Sequence, residues 1–269
     1  YPYNARLNLD DESSKLLVTI SQELLKFFVD VAKPLILTVC RPDKRKNITG
    51  LITAFGEDKE LQKKANLAIF AGIREDIQEM PDNEREVLTD ILLLMDKYNL
   101  YGKIAIPKRH DTHTEVPELY RIAADSGGVF VNAALTEPFG LTLIEAAACG
   151  VPVVATDDGG PRDILKNCKS GILVDVSDSK NISDAINKII YDKKLWKQFS
   201  EEGMKNVRKH YTWDAHVEKY LEEVGDLKCF LQRQGVYDNL SRSVEHDDRF
   251  LVVKLALKRI YVPFGITWR

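Results

Sequence analysis

The chain has 269 residues, with 38 Lys and Arg against 41 Asp and Glu and a formal charge of -3 at pH 7. That balance gives no reason to expect a nucleic acid or an anionic membrane as partner. With 44% hydrophobic and 29% charged residues, the composition is that of a globular protein with ample core, in one large domain or two small ones.

No apolar run approaches the length of a membrane span, and no signal peptide is visible. Cys40, Cys149, Cys168 and Cys229 are scattered without a Cys-x-x-Cys pair, so neither zinc nor a disulfide framework is indicated. A reduced, cytoplasmic setting is expected. The chain begins with Tyr1 rather than methionine, which is the expectation for a piece of a longer polypeptide.

In chain order, residues 1–32 read as a lead-in segment and one amphipathic helix from Ser13 to Asp30, with Leu16, Leu17, Ile20, Leu24, Leu25 and Phe28 at helical spacing. Pro34–Cys40 is a nearly continuous apolar strand, the pattern of a strand covered on both faces. The loop Arg41–Asn47 follows, then a helix from Ile48 to about Phe55 with Asn47 as its expected N-cap. The alternation continues with strand Asn66–Ala71, helix Asn83–Tyr98, strand Lys103–Pro107, helix Glu115–Asp125 and strand 128–132. After a helix opening near Gly140 come strand Val151–Ala155, a helix begun by Pro161, strand Ile172–Val174, and helices near 181–191, 193–209 and 213–223.

Strands alternating with helices imply an α/β fold, a doubly wound parallel sheet of about six strands, in a domain spanning residues 33–223. Residues 224–269 form a tail, helical in its first part, whose apolar run is Phe250–Leu257.

The stretch from Glu137 to Asp163 organises the rest. A loop carrying Glu137 leads into a helix that ends at Gly150, with Pro152 two residues beyond. Strand, loop, helix, strand, loop and helix make a βαβ unit, and ligands of such sheets bind at the carboxyl ends of the strands. From Leu141 to Cys149 the helix is apolar nearly all round, so it is expected to be buried. Thr142 and Glu145 are the exceptions. A carboxylate there needs a cation or hydroxyl partner, and two readings stay open: a structural ion pair, or the hydroxyls of a ligand. The open amides of Gly140, Leu141 and Thr142 favour an anion.

Arg41, Lys44, Arg45 and Lys46 place four cations at the end of a buried strand, where they suit a diphosphate as well as a solvated turn. His110 and His113, three apart with no third ligand in view, read as two exposed loop histidines rather than a metal pair. Cys149 reads as a small core residue. The chain lacks Gly-x-x-x-x-Gly-Lys-Ser/Thr, Gly-x-Gly-x-x-Gly and Asp-x-Asp. Phosphate charge would therefore be met by Arg, Lys and helix dipoles, with no metal and no cofactor.

These residues carry a family resemblance. Glu137-Pro-Phe-Gly-Leu-Thr-Leu-Ile-Glu145 resembles the Glu-x7-Glu motif of retaining, metal-independent GT-B glycosyltransferases. Arg41-Pro-Asp-x-x-Lys-Asn47 resembles their diphosphate loop, and Asp158-Gly-Gly-Pro161 the loop after the next strand. Cys40–Thr49, Arg74–Met80, Tyr98–Gly102 and Val116–Arg121 look like the corresponding segments of the sucrose-phosphate synthases. Sucrose synthases are similar but usually have Glu-Ala-Phe-Gly in place of Glu-Pro-Phe-Gly.

The resemblance covers roughly residues 33–223. It implies a Rossmann-like, C-terminal half of a GT-B fold that binds a nucleotide-sugar donor, with the sugar-phosphate acceptor held by an N-terminal domain. It further implies glucose transfer from UDP-glucose to fructose 6-phosphate, giving sucrose 6-phosphate with retained configuration. Arg41 and Lys46 would hold the diphosphate, Glu137 the transferred glucose, and Glu145 the ribose. Phe139, Gly140, Leu141 and Thr142 would line the donor site, and Pro107 and Lys108 would meet the uracil. The alternatives are a non-catalytic UDP-sugar-binding domain and a sucrose-synthase-like transferase. A nucleotide-sugar epimerase shares the architecture, but the Arg-Pro-Asp-x-x-Lys-Asn and Glu-Pro-Phe-Gly segments argue against it.

Overall fold

The structure is a computed structural model and describes residues 11–108, 110–111 and 113–233. The chain divides into two compact units, Tyr1–Lys209 and His210–Arg269. The first contains α1 (Asp11–Leu25), β1 (Leu35–Cys40), a 3-10 turn (Lys44–Lys46), α2 (Ile48–Glu57), α3 (Lys59–Lys64) and β2 (Asn66–Ala71). Then come α4 (Asp82–Lys97), β3 (Ile104–Ala105), α5 (Glu115–Asp125), β4 (Val129–Asn132), α6 (Leu141–Ala148) and β5 (Val153–Thr156). It closes with α7 (Pro161–Cys168), β6 (Gly171–Val174), α8 (Ser179–Tyr191) and all but the last residue of α9 (Lys193–His210). The described part of the second unit is one helix, α10 (Trp213–Arg233). The apolar run Phe250–Leu257 lies outside the described residues.

Among the described residues all strand pairs are parallel, in a six-stranded sheet of order β3-β2-β1-β4-β5-β6. This is the expected doubly wound sheet. Ile36 pairs with Leu67 on one side and Val129 on the other. These residues, with Ile69, Val131 and Val154, face the layer formed by α2, α4 and α8, where Leu51, Phe55, Leu88, Ile91, Ile182 and Ile186 complete the core. Each fully buried side chain of that size contributes about 1.5–3 kcal/mol. On the opposite face α5 packs on β1, and α6 on β4 and β5.

Several boundaries differ from the sequence expectation. The first helix stops at Leu25, because Val29 turns to donate its amide to the carbonyl of Gly102 at 3.0 Å. β3 shrinks to two residues, since the carbonyls of Ile106 and Pro107 go to the Arg74 guanidinium, each at 3.0 Å, and not to a neighbouring strand. A short helix, α3, fills the former gap before β2, capped by the Asp58 carboxylate, which accepts from the Leu61 amide at 2.9 Å. The last helix of the expected set runs on from Trp213 to Arg233 without a break.

Candidate active site

The strand order reverses between β1 and β4, and in an open parallel sheet the crevice at that switch point is where ligands bind. Here a cleft of about 230 Å³ opens between the ends of those two strands. Thr38, Val39 and Cys40 line it from β1, Phe130 to Ala133 from the β4 side, and Lys46, Glu137 and Phe139 to Thr142 from the loops above.

Lys46 and Glu137 meet in this cleft at 2.7 Å, although 91 positions separate them. The Lys46 side chain is 28% exposed and that of Glu137 12%. Burial works against the Glu137 charge. Hydrogen bonds from Lys46 and Asn132, the lysine charge and the Phe139 amide outweigh it and hold the carboxyl below its usual range. Asn132 closes the arrangement: its Nδ2 donates to Glu137 Oε2 at 3.2 Å and its Oδ1 accepts from the Ala134 amide at 3.2 Å.

Backbone contacts fix the position of Glu137. Its carbonyl accepts from the Gly160 amide at 2.9 Å, and Glu137 and Gly159 form an isolated parallel bridge. Thr136 Oγ1 donates to Asp158 Oδ2 at 2.8 Å. A Cβ on Gly160 would collide with the Phe139 carbonyl oxygen, so the Asp158-Gly-Gly-Pro loop needs glycine to approach the Glu137 loop this closely.

Gly140 sits at the N-cap of α6 with φ 97°, a conformation that disfavours any side chain. Among the described residues, no backbone or side-chain acceptor takes the amides of Gly140, Leu141 and Thr142. These donors, the lysine and the half-buried carboxylate all border one small crevice. Chemically it offers cationic and N–H contacts to an oxyanion and a carboxylate acceptor to hydroxyls.

Of the residues expected from sequence, Lys46, Glu137, Phe139, Gly140, Leu141 and Thr142 are brought together here. Arg41 is exposed and follows the cleft-lining Cys40 directly. Lys44 and Arg45 turn away, pairing with Glu86 and Asp43 at 2.6 Å each. Pro107 is buried, and Lys108 is exposed with its Nζ on the Glu75 carbonyl at 2.7 Å. Glu145 lies one turn into α6 from Thr142 and accepts from the Tyr120 hydroxyl at 3.2 Å.

Three expectations are corrected. The α6 helix is not buried all round: Leu141 is 63% exposed, because the carboxyl-end face of the sheet leaves its first turn uncovered. Asn47 occupies the N-cap position but makes no side-chain cap; its Nδ2 donates to the Val176 carbonyl at 3.1 Å. His110 is not an exposed loop residue. It is 9% exposed, stands edge-on to Phe70 at 5.7 Å between ring centroids, and burial lowers its pKa.

His113 is exposed. Among the described residues, no group of three His, Cys, Asp or Glu side chains is placed to hold a metal, and no helix is long and apolar enough to cross a membrane. Burial pushes the thiols of Cys40 and Cys149 up to about 11 and about 12, so neither is a nucleophile near neutral pH.

Asn132 and Thr38 were missed from sequence. The signal for Asn132 was a polar residue ending the otherwise apolar strand Val129-Phe-Val-Asn.

The sheet order, the switch-point cleft and the two loops that meet over it define the Rossmann-like half of a GT-B glycosyltransferase. The family model of the glycosyl transferases group 1 matches residues 23–206, and the chain belongs to that family. It is 48% identical over 238 residues to a probable sucrose-phosphate synthase 4 of Oryza sativa subsp. japonica, covering 88% of this chain and 22% of that protein. It is 44% identical over 229 residues to the sucrose-phosphate synthase of Spinacia oleracea, covering 85% and 21%. The chain thus spans about a fifth of the length of the curated relatives it matches.

The solved sucrose-phosphate synthase of Thermosynechococcus elongatus shares the fold, with TM-score 0.63 and 24% identity over 90% of this chain and 51% of that one. So does Anabaena HepE in complex with UDP-glucose, with TM-score 0.64 and 16% identity over 84% and 54%.

Proposed function

We propose that this chain is the donor-binding half of a retaining glucosyltransferase that moves glucose from UDP-glucose to fructose 6-phosphate, giving sucrose 6-phosphate. The observation that carries the reading is the Lys46–Glu137 pair at the switch point, beside the open amides of residues 140–142. The similarity to sucrose-phosphate synthases supports the choice of donor and acceptor. The acceptor sits on an N-terminal domain outside this chain, in a cytoplasmic protein.

In this mechanism Lys46, with Arg41 folding in from the adjoining loop, neutralises the diphosphate. Their charge, with the amides of Gly140, Leu141 and Thr142, stabilises UDP as negative charge gathers on it during cleavage of the sugar–phosphate bond. Glu137, released from Lys46, accepts from hydroxyls of the glucose, and Glu145 accepts from the ribose. Pro107 and Lys108 border the uracil, and Phe139 flanks the sugar. Cations and helix amides do the work that a metal performs in other sites.

Calorimetric titration with UDP-glucose, ADP-glucose and GDP-mannose, with and without EDTA, tests this. UDP-glucose should bind tightest, with or without chelator, and the isolated chain should not transfer glucose. The reading fails if no nucleotide sugar binds, or if binding strictly requires Mg²⁺ or Mn²⁺.

A further inference from the structure

Tyr120 lies on α5 and is fully buried, its ring edge-on to Phe130 of β4 at 5.3 Å between centroids. A phenol taken out of water needs a hydrogen-bond partner for its hydroxyl. That hydroxyl donates to Oε2 of Glu145 across the α5–α6 contact. Glu145 is half-buried and sits three residues after the cleft-lining Thr142, on the same side of α6.

We propose that Tyr120 is a positioning residue that presents the Glu145 carboxylate to the ribose of the donor. The proposal rests on the assignment of Glu145 to the ribose hydroxyls. The phenol holds Oε2 of the carboxylate at 3.2 Å and so limits the orientations the group can take. The rigid anchor is the Tyr120–Phe130 contact, because Phe130 belongs to the strand that floors the cleft. Orienting the acceptor before the ligand arrives removes an ordering penalty that binding would otherwise carry.

The test is a cycle of Tyr120→Phe, Glu145→Gln and the double variant in the full chain, titrated with UDP and with 2′,3′-dideoxy-UDP. Thermal melts without ligand run alongside. Tyr120→Phe removes one oxygen and keeps the ring against Phe130. It should weaken UDP binding by about three- to tenfold, leave dideoxy-UDP binding unchanged, and add nothing in the Glu145→Gln background.

Equal weakening of both ligands by Tyr120→Phe would mean a general packing role and overturn the proposal. So would unchanged UDP affinity in Tyr120→Phe while Glu145→Gln weakens it; the ribose assignment would then stand alone. Parental UDP affinity in Glu145→Gln would refute the ribose assignment and the proposal with it. A Tyr120→Phe chain that no longer folds would also count against positioning, because the hydroxyl would then serve stability.

Discussion

The Gly160 amide donates to the Glu137 carbonyl at 2.9 Å, in a position where a Cβ on Gly160 would meet the Phe139 carbonyl oxygen at 2.1 Å. One glycine thereby sets the height of the loop that carries the cleft carboxylate. Gly160→Ala places a methyl on backbone, which cannot yield as a side-chain tip can. The ligand-free protein should lose about 1–3 kcal/mol, read from urea unfolding. Gly225, with open space around its Cα on helix α10, is the control. Gly225→Ala should be neutral or slightly stabilising.

Arg41 and Lys46 should separate in stability while agreeing in binding. On the proposed function, either alanine variant removes a charge-assisted contact of roughly 1.5–3 kcal/mol to the diphosphate, so UDP affinity should fall about tenfold or more. Arg41 is exposed, and Arg41→Ala should melt like the parent. Lys46→Ala also leaves the Glu137 carboxylate, at 12% exposure, without its cation and should melt lower. Parental UDP affinity in both variants would reduce the loop to a solvated turn.

The Glu137 carboxyl is held below its ordinary value of 4.5 in the folded chain. Burial opposes this, and Lys46, Asn132 and the Phe139 amide prevail. A depressed carboxyl binds fewer protons folded than unfolded. Its stabilisation is therefore present above the unfolded pKa and lost as pH falls through the folded one. The stability difference between the parent and Glu137→Gln should be flat above about pH 6 and shrink as pH drops below about 4.5. Chemical denaturation across that range measures it, and a constant difference down to about pH 3 would remove the carboxylate from the pair.

His110 gives a second acid-side signature at higher pH. Burial lowers its pKa from 6.5, and the nearby Glu115 and Asp111 charges only partly offset that. The unfolded chain takes up the proton first, so stability is full above about pH 6.5 and declines as pH falls toward the folded value. His110→Gln should flatten this limb of the curve. Perturbed NMR titration of the imidazole would check the direction, and a pKa above 6.5 would contradict it.

Most of the sheet was legible because each strand is an apolar run bounded by turn residues, and Gly150 and Pro161 punctuate α6 and α7 as their chemistry dictates. The β3 end was not, since its carbonyls are taken by Arg74, which lies on another loop. Helix α3 escaped because Lys59-Glu-Leu-Gln-Lys-Lys64 carries a single apolar residue, too few to show a period. His110 stood in a polar loop, and nothing local announced that it turns in against Phe70. In the site, motif spacing pointed to Lys46 and Glu137 separately. Their contact arises from the strand order that sets β1 beside β4, and no local pattern encodes that.

The cleft carries its own counter-ion. Because Lys46 already neutralises Glu137, an occupant has to separate the two and satisfy both at once. Free phosphate would claim the lysine and leave the carboxylate without its cation, held only by Asn132 and the Phe139 amide. A neutral sugar would serve the carboxylate and leave the lysine without an anion. Only a molecule that carries anion and hydroxyls on one frame meets both conditions. On the proposed function, the Lys46–Glu137 pair thus works as a logical conjunction, favouring the combination over either part alone.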